Sequence, residues 1–230
     1  MSTDADALYR LMSWLSPAFP VGAFSYSHGI EYAVEAGVVR DEESLRRWID
    51  AGLHNEFGPV TGAMLRAAYE AMAARDRSRL ADALQDARAF VATAEFELEH
   101  RAQGQAFMLC LDAAWSEARD RTWLASVLND DFVPYPSAVG IAAAAAAIPL
   151  EATLAAFLHA VVGNLISAGI RLIPLGQTAG QRILAHLQSA VLNATDDVLN
   201  RDAGDVGSAA PLAEWASANH ETQYTRLFRS

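Results

Sequence analysis

Two histidines lie three residues from a glutamate, a spacing that puts a carboxylate and an imidazole on one face of a helix. Glu97 and His100 form one pair, and His28 and Glu31 form the other. Carboxylate-bridged di-metal bundles need two Glu-x-x-His motifs and two further glutamates, whereas this sequence contains the motif once. A helical metalloenzyme around Glu97 and His100 is therefore the weaker alternative, with His28 and His100 as candidate metal ligands. A hydrogen-bonded pair near a helix start is the other interpretation of His28 and Glu31.

Nucleophilic and phosphate-binding chemistry finds less support. Ser25 and His28 are close in sequence, but no Gly-x-Ser-x-Gly turn surrounds Ser25, and Ser25 is predicted to cap a helix that begins at Tyr26. All 17 basic residues are arginine, so a P-loop lysine, a Schiff-base lysine and a Ser-x-x-Lys pair are excluded. The single cysteine, Cys110, excludes an intrachain disulfide and a cysteine zinc cage. We therefore predict no catalytic residues, no cofactor of the chain's own and no enzymatic activity.

Composition indicates a globular protein whose partners are not nucleic acids. Of 230 residues, 52% are hydrophobic, and 28 acidic against 17 basic residues give a net charge of −11. Nucleic-acid binders concentrate positive charge, so a positively charged protein partner suits this chain better. The first residues lack a basic region followed by an apolar one, and the most apolar stretch, 138–173, is interrupted by polar residues. We expect a cytoplasmic protein that does not span a membrane.

The elements that carry these residues are predicted to be helices throughout. Alanine is frequent along the whole chain, and sustained alternation of apolar and polar residues is missing. The predicted fold is all-α, a single-domain bundle of about ten helices over residues 1–200 followed by a mobile C-terminal tail, 201–230. The predicted helices are 4–15, 26–36, one capped by Asp41 that stops at Gly58-Pro59, 60–74, 78–91, 93–118, a short one with Trp123 and Leu124, 137–147, 151–170 and 177–200.

Two segments outside the predicted helices concentrate aromatic side chains. The loop 16–29 places Phe19, Phe24 and Tyr26 among helix breakers, and these rings either fold onto the core or form a partner surface. The tail combines aromatic residues with arginine, the composition of interface hot spots, and it is expected to dock on its own body or on a partner. The candidate partner-binding residues are Pro17, Phe19, Pro20, Phe24, Tyr26, His28, Arg171, Trp215, Tyr224, Arg226, Leu227, Phe228 and Arg229.

Three segments resemble the urease accessory protein UreF family. They are LSPAFPVGAFSYSHGIE (15–31), SAGIRLIPLGQTAGQRIL (167–184) and HETQYTRLFRS (220–230), in the family's order and spread over the whole chain. The resemblance implies an all-α homodimer without a catalytic site.

The resemblance also implies the chain's partners. These are UreD (also called UreH), the GTPase UreG and apo-urease, and the assembly inserts nickel in a GTP-dependent reaction, with nickel and GTP bound by the partner proteins. The tail is expected to become ordered on UreD. A GTPase-activating role remains the alternative, with Arg171, Arg182 or Arg226 as the arginine supplied to UreG.

Overall fold

The computed structural model describes residues 5–115, 123–124, 126–128, 132–202 and 205–230, and these residues form helices and no strands. The all-α prediction is confirmed. The α-helices with defined bounds are α1 (Ala5–Trp14), α2 (Ile30–Glu35), α3 (Glu42–Gly52), α4 (Ala63–Ala73), α5 (Arg77–Ala89), α6 (Ala94–Ala114), α7 (Tyr135–Ala145), α8 (Leu150–Leu172), α9 (Gln177–His186), α10 (Gln188–Asn200) and α11 (Pro211–His220).

The centre of the bundle is formed by α7 and α8, which the sequence marks as apolar on nearly all sides. α7 packs closely on α4 at Gly140, where a Cβ atom would overlap the carbonyl oxygen of Leu65. α8 contributes buried side chains along most of its length, and Gly169 lets it approach Leu45 on α3. α8 is long and apolar enough to cross a membrane, but half of its most apolar window is buried inside the fold. Core helices of globular proteins have the same character, so this is weak support for a span.

The predicted break at Gly58-Pro59 is wrong. Residues Leu53–Gly62 form a π-helical segment that joins α3 to α4 without interruption. Proline lacks the N–H that a helix interior uses to bond an earlier carbonyl, and in this segment the carbonyl oxygen of Asn55 accepts from Ala209 N (3.0 Å). A wide helical turn with an external donor thus replaces the predicted loop.

The helix predicted from Tyr26 begins four residues later, at Ile30. Ser25 is not its N-cap but lies in a short 3₁₀ turn, Ala23–Ser25. The N-cap position is held by Gly29 at φ 79°, and Ser27 Oγ accepts a hydrogen bond from Glu31 N (3.3 Å). Ser27 therefore supplies the acceptor that we predicted for Ser25.

The last long predicted helix is divided in two. α9 and α10 meet at Leu187, which is the C-cap of one and the N-cap of the other: its N donates to the Ile183 carbonyl oxygen (3.0 Å) and its carbonyl oxygen accepts from Val191 N (2.9 Å). Asp41 caps α3 as predicted, with its carboxylate accepting from Ser44 N (2.8 Å). The prediction of a short helix around Trp123 falls partly on residues 116–122 and 125, outside the described residues.

Candidate functional site

Residues 221–230, here called the C-terminal segment, are bound to the start of α2 through their backbone. The Glu31 carboxylate accepts from Leu227 N (2.6 Å) and Phe228 N (2.9 Å). Ser27 donates from its backbone N (2.7 Å) and its Oγ (2.6 Å) to the carbonyl oxygen of Ser230. A carboxylate that holds two consecutive amides fixes the register of the chain against α2.

His220, the last residue of α11, joins this contact to α6. Its side chain is fully buried, with Nδ1 2.8 and 3.0 Å from the two carboxylate oxygens of Glu95 and Nε2 3.0 Å from Glu31 Oε2. Arg226 adds a second basic group, with Nη1 3.0 Å from Glu95 Oε1. Buried carboxylates are stable only when they are paired, so these contacts hold α11 and the C-terminal segment to the body.

A second histidine, His28, lies between Glu56 and Glu99. Its Nε2 is 2.7 Å from Glu56 Oε1 and its Nδ1 3.2 Å from Glu99 Oε2, and its ring stacks on Phe96 with centroids 3.9 Å apart. Burial alone would lower the pKa of His28, but the two carboxylates outweigh it and raise that pKa to about 10. His28 is therefore an imidazolium at neutral pH, and its φ of 54° is one that side chains other than glycine rarely adopt.

Glu99 connects the His28 group to the C-terminal segment. Its Oε2 also accepts from Ser230 Oγ (3.0 Å), and its Oε1 accepts from Gln103 Nε2 (3.0 Å). Burial would raise the pKa of Glu99, but the charge and hydrogen bond of His28 hold it below its usual value. One turn of helix aligns Glu95 and Glu99 on the same face of α6, where each meets a histidine.

A cavity of about 450 Å³ opens beside this group, between the loop 15–24, α6 and α8. His28, Glu99, His100 and Gln103 lie along its polar side. Burial lowers the pKa of His100 to about 4, so its ring is neutral at pH 7.

The loop residues predicted to bind a partner divide between core and surface. Phe19 and Tyr26 are buried, and Phe19 lies 5.2 Å from Phe107, centroid to centroid. Pro17 and Pro20 are exposed, and Phe24 is 68% exposed at the edge of the cavity. Phe19 and Tyr26 therefore fold onto the core, whereas Phe24 remains available for a partner surface.

The tail residues divide in the same way. Phe228 is buried, and the Arg171 guanidinium lies 4.3 Å from the centre of its ring. Tyr224 is fully exposed and Leu227 is 63% exposed. Trp215 on α11 is 40% exposed and packs edge-on against Tyr32, with centroids 5.1 Å apart.

The remaining contacts of the tail hold its end to the loop. Arg229 donates its backbone N to the Ser25 carbonyl oxygen (2.8 Å). The structure thus places residues 211–230 against the body, and the predicted mobility of the tail stays a prediction.

The structure places the candidate metal ligands His28 and His100 on the same side of the cavity but separates Glu97 from His100. Glu97 is exposed and accepts from Arg101 (2.6 Å), whereas His100 lies on the cavity side of α6. Among the described residues, no group of three or more histidine, cysteine, aspartate or glutamate side chains is arranged to hold a metal ion. All three arginines considered for a GTPase-activating role have contacts within the chain. Arg182 makes a two-pronged contact with Glu42, Arg171 lies over the Phe228 ring and Arg226 contacts Glu95.

Sequence reasoning missed the carboxylates that organise the site. Glu56, Glu95 and Glu99 were not candidates, nor was His220, and Glu31 was considered only as a partner of His28. The four-residue spacing of Glu95 and Glu99 at the start of a helix was the available signal. Apart from Gln103, the partners of Glu95 and Glu99 lie 71 to 131 residues away along the chain, which no local pattern reveals.

Comparison with known proteins gives consistent matches along the chain. The family model UreF matches residues 39–188. A protein named urease accessory protein UreF from Rhodopseudomonas palustris (strain BisB5) is 53% identical over 227 residues, which cover 99% of this chain and 93% of the relative. Proteins of the same name from Bradyrhizobium diazoefficiens (49%, covering 99% and 93%) and Granulibacter bethesdensis (46%, covering 100% and 96%) are also similar.

Proposed function

Since the chain belongs to the UreF family of urease accessory proteins, we propose that it acts as a non-enzymatic scaffold in urease maturation. In this role it binds UreD and the GTPase UreG in the cytoplasm, and the assembly inserts nickel into apo-urease with GTP hydrolysis. Nickel and GTP are bound by the partner proteins, and this chain contributes surfaces that hold the partners in position.

The observation that supports a scaffold most directly is that residues 211–230 combine buried side chains that attach the region to the body with exposed side chains that are available to a partner. His220 and Phe228 are buried and hold this region to α2 and α6, whereas Tyr224, Leu227 and Trp215 keep much of their surface exposed. Exposed tryptophan and tyrosine side chains are among the groups that dominate binding free energy at protein interfaces, and an exposed leucine beside them adds apolar area to bury. We assign UreD as the partner of this surface.

The contacts that attach the C-terminal segment to α2 also explain how such a surface can bind tightly. Ordering a free segment on binding costs free energy that reduces affinity. The hydrogen bonds of Glu31 to Leu227 N and Phe228 N already fix the backbone on which the exposed side chains are carried. With these contacts formed, UreD meets a surface whose backbone is already held at Leu227 and Phe228, which differs from the expectation that the tail becomes ordered on UreD.

The experiment compares exposed and anchoring positions. Tyr224→Ser and Leu227→Ser remove apolar surface without touching a buried contact, so each should weaken UreD binding at least about tenfold while leaving the unfolding midpoint unchanged. Binding is measured by titration of the purified proteins, and nickel content of urease activated in cells is the functional readout.

A matched control is Leu192→Ser on α10, a position 48% exposed on another part of the surface. This variant should bind UreD like the wild type. Unchanged UreD affinity in both the Tyr224 and Leu227 variants, or urease activation that does not need this chain, would contradict the proposal.

A further inference from the structure

The cavity beside His28 has the size and character of a binding site. Its volume of about 450 Å³ lies within the range of ligand sites in proteins, which are mostly apolar with a few convergent polar groups. Phe57, Phe157 and Leu165 are among its apolar walls, and Glu99 and Gln103 are among its polar groups. Nothing in the role assigned to residues 211–230 uses this space.

Gly163 is an independent sign that another molecule approaches here. It lies in the interior of α8 and lines the cavity, and a Cβ atom placed on it would meet nothing within 4 Å. The glycines inside α6 and α7 have a packing reason, since a Cβ on Gly104 or Gly140 would overlap backbone of a neighbouring segment. Glycine inside a helix costs about 0.5–1 kcal/mol relative to alanine, and within the described chain no neighbour of Gly163 accounts for that cost.

The polar side of the cavity favours a cation. His28 and Glu99 line the cavity, and Glu56, outside the lining, contacts His28, so this group of two carboxylates and one imidazolium beside the cavity carries one net negative charge. Within the described part of the chain, Glu56 Oε2 is buried without a hydrogen-bond partner. His100, the other histidine beside Glu99, is neutral and adds no positive charge. A buried negative charge attracts a cationic group and repels an anionic one.

The entrance to the cavity favours a protein over a small molecule. Pro17, Pro20 and the 68% exposed Phe24 line its outer part, and exposed aromatic side chains are enriched where proteins meet. A segment lying across them can bring its backbone against α8 at Gly163, where no side chain stands in the way.

We propose that this cavity binds a short apolar segment of a partner protein that carries one arginine or lysine side chain. The segment packs against Gly163, and its cationic group reaches the Glu99 side of the cavity. This inference rests on the proposed function, because it takes partner binding as the role of the chain, and it adds a second binding site with a defined chemistry.

The test uses a peptide probe and its neutral analogue. Acetyl-Leu-Arg-Leu-amide and the same peptide with citrulline in place of arginine differ in charge and little in shape. Binding to the full chain is followed by the backbone amide chemical shifts of Ala160 and Asn164, which line the cavity and are kept in every variant. The arginine peptide should bind at least tenfold more tightly, and butylguanidine alone should bind much more weakly than the peptide.

Variants of the cavity provide the second part of the test. Gly163→Leu fills the open space from a helical position and should abolish peptide binding, whereas Gly163→Ala, which adds one methyl group where the segment packs, should weaken it. Glu99→Gln should remove the preference for arginine over citrulline. Glu97→Gln on the exposed face of the same helix is the matched control and should change nothing.

Three results would overturn the proposal: equal affinity for the two peptides, no binding at millimolar peptide, or binding that survives Gly163→Leu. Butylguanidine binding as tightly as the peptide would show a small-molecule site instead, and would overturn it as well. Because the readout is peptide binding and not UreD binding, these results leave the test of the C-terminal surface independent.

Discussion

At the scale of single residues, backbone strain, burial and charge meet at His28. A left-handed backbone at a residue other than glycine costs roughly 1–3 kcal/mol and persists where the surroundings over-determine it. Here the surroundings are Glu56, Glu99 and the face of Phe96. The charge of this residue therefore contributes to the stability of the whole region.

The raised pKa of His28 predicts a specific dependence of stability on pH. A folded-state pKa of about 10, against about 6.5 when unfolded, gives stabilisation that is complete below pH 6.5 and is lost as pH rises toward 10. The difference in unfolding free energy between the wild type and His28→Asn should shrink over this window, by at most about 1.4 kcal/mol per pH unit. Asparagine is chosen because it tolerates the left-handed backbone.

Urea unfolding at several pH values between 6.5 and 10 measures this difference. Phe57→Leu, which alters the ring 5.2 Å from His28 without changing a titrating group, should differ from the wild type by the same amount at each pH. A gap between His28→Asn and the wild type that stays constant to pH 10 would show that His28 is not charged in the folded protein.

At the scale of elements, helix packing depends on positions where a side chain has no room. Gly140 lets α7 approach α4 until its Cα lies against the backbone at Leu65. Gly163 on α8 is also a glycine inside a helix, but among the described residues no atom of a neighbouring element lies within 4 Å of the position that its Cβ would take. Close packing requires a glycine at position 140 but not at position 163, so adding one methyl group should affect the two positions differently.

We therefore predict opposite effects for alanine at these positions. Gly140→Ala should destabilise by several kcal/mol because overpacking against backbone forces α4 and α7 apart. Gly163→Ala should stabilise by about 0.5–1 kcal/mol, since alanine is the better helix former and meets no neighbour. Thermal and urea unfolding of the two variants measure the effects, and a loss of stability in Gly163→Ala would show that its space is already filled.

The elements also show how far sequence reasoning reaches. Apolar periodicity and capping residues predicted the helices well, and Asp41 is an example in which a local pattern determines a local structure. Gly58-Pro59 was misjudged because the donor that satisfies Asn55 comes from Ala209, more than 150 residues later. The His28–Glu31 pair was misjudged for the same reason, since both residues have partners on distant helices.

At the scale of the whole molecule, the exposed side of α1 is unusually apolar. Leu8, Tyr9 and Met12 are each at least half exposed, whereas Leu11 and Trp14 on the opposite side are buried. The family resemblance implies a homodimer, and an exposed apolar stripe on a helix is a surface suited to a second copy.

We predict a dimer in solution that uses this stripe. Leu8→Ser combined with Met12→Ser should shift the mass measured by light scattering from twice 24.7 kDa toward the monomer, because two apolar contacts are lost on each side of a symmetric interface. Leu109→Ser, at a 62% exposed position on α6, is the comparison. A wild-type monomer at the concentrations used for partner binding would contradict the prediction.

The contacts of Ser25 and Ser27 with Arg229 and Ser230 have a thermodynamic consequence. These hydrogen bonds join the end of the chain to the loop 16–29, part of which borders the cavity, so a ligand that binds only one arrangement of these segments changes the free energy of binding at the other place. Linkage is reciprocal: if UreD on the C-terminal segment tightens cavity binding by some factor, a molecule in the cavity must tighten UreD binding by the same factor. Each of the two separate surfaces would then respond to the occupancy of the other, to the same extent in both directions.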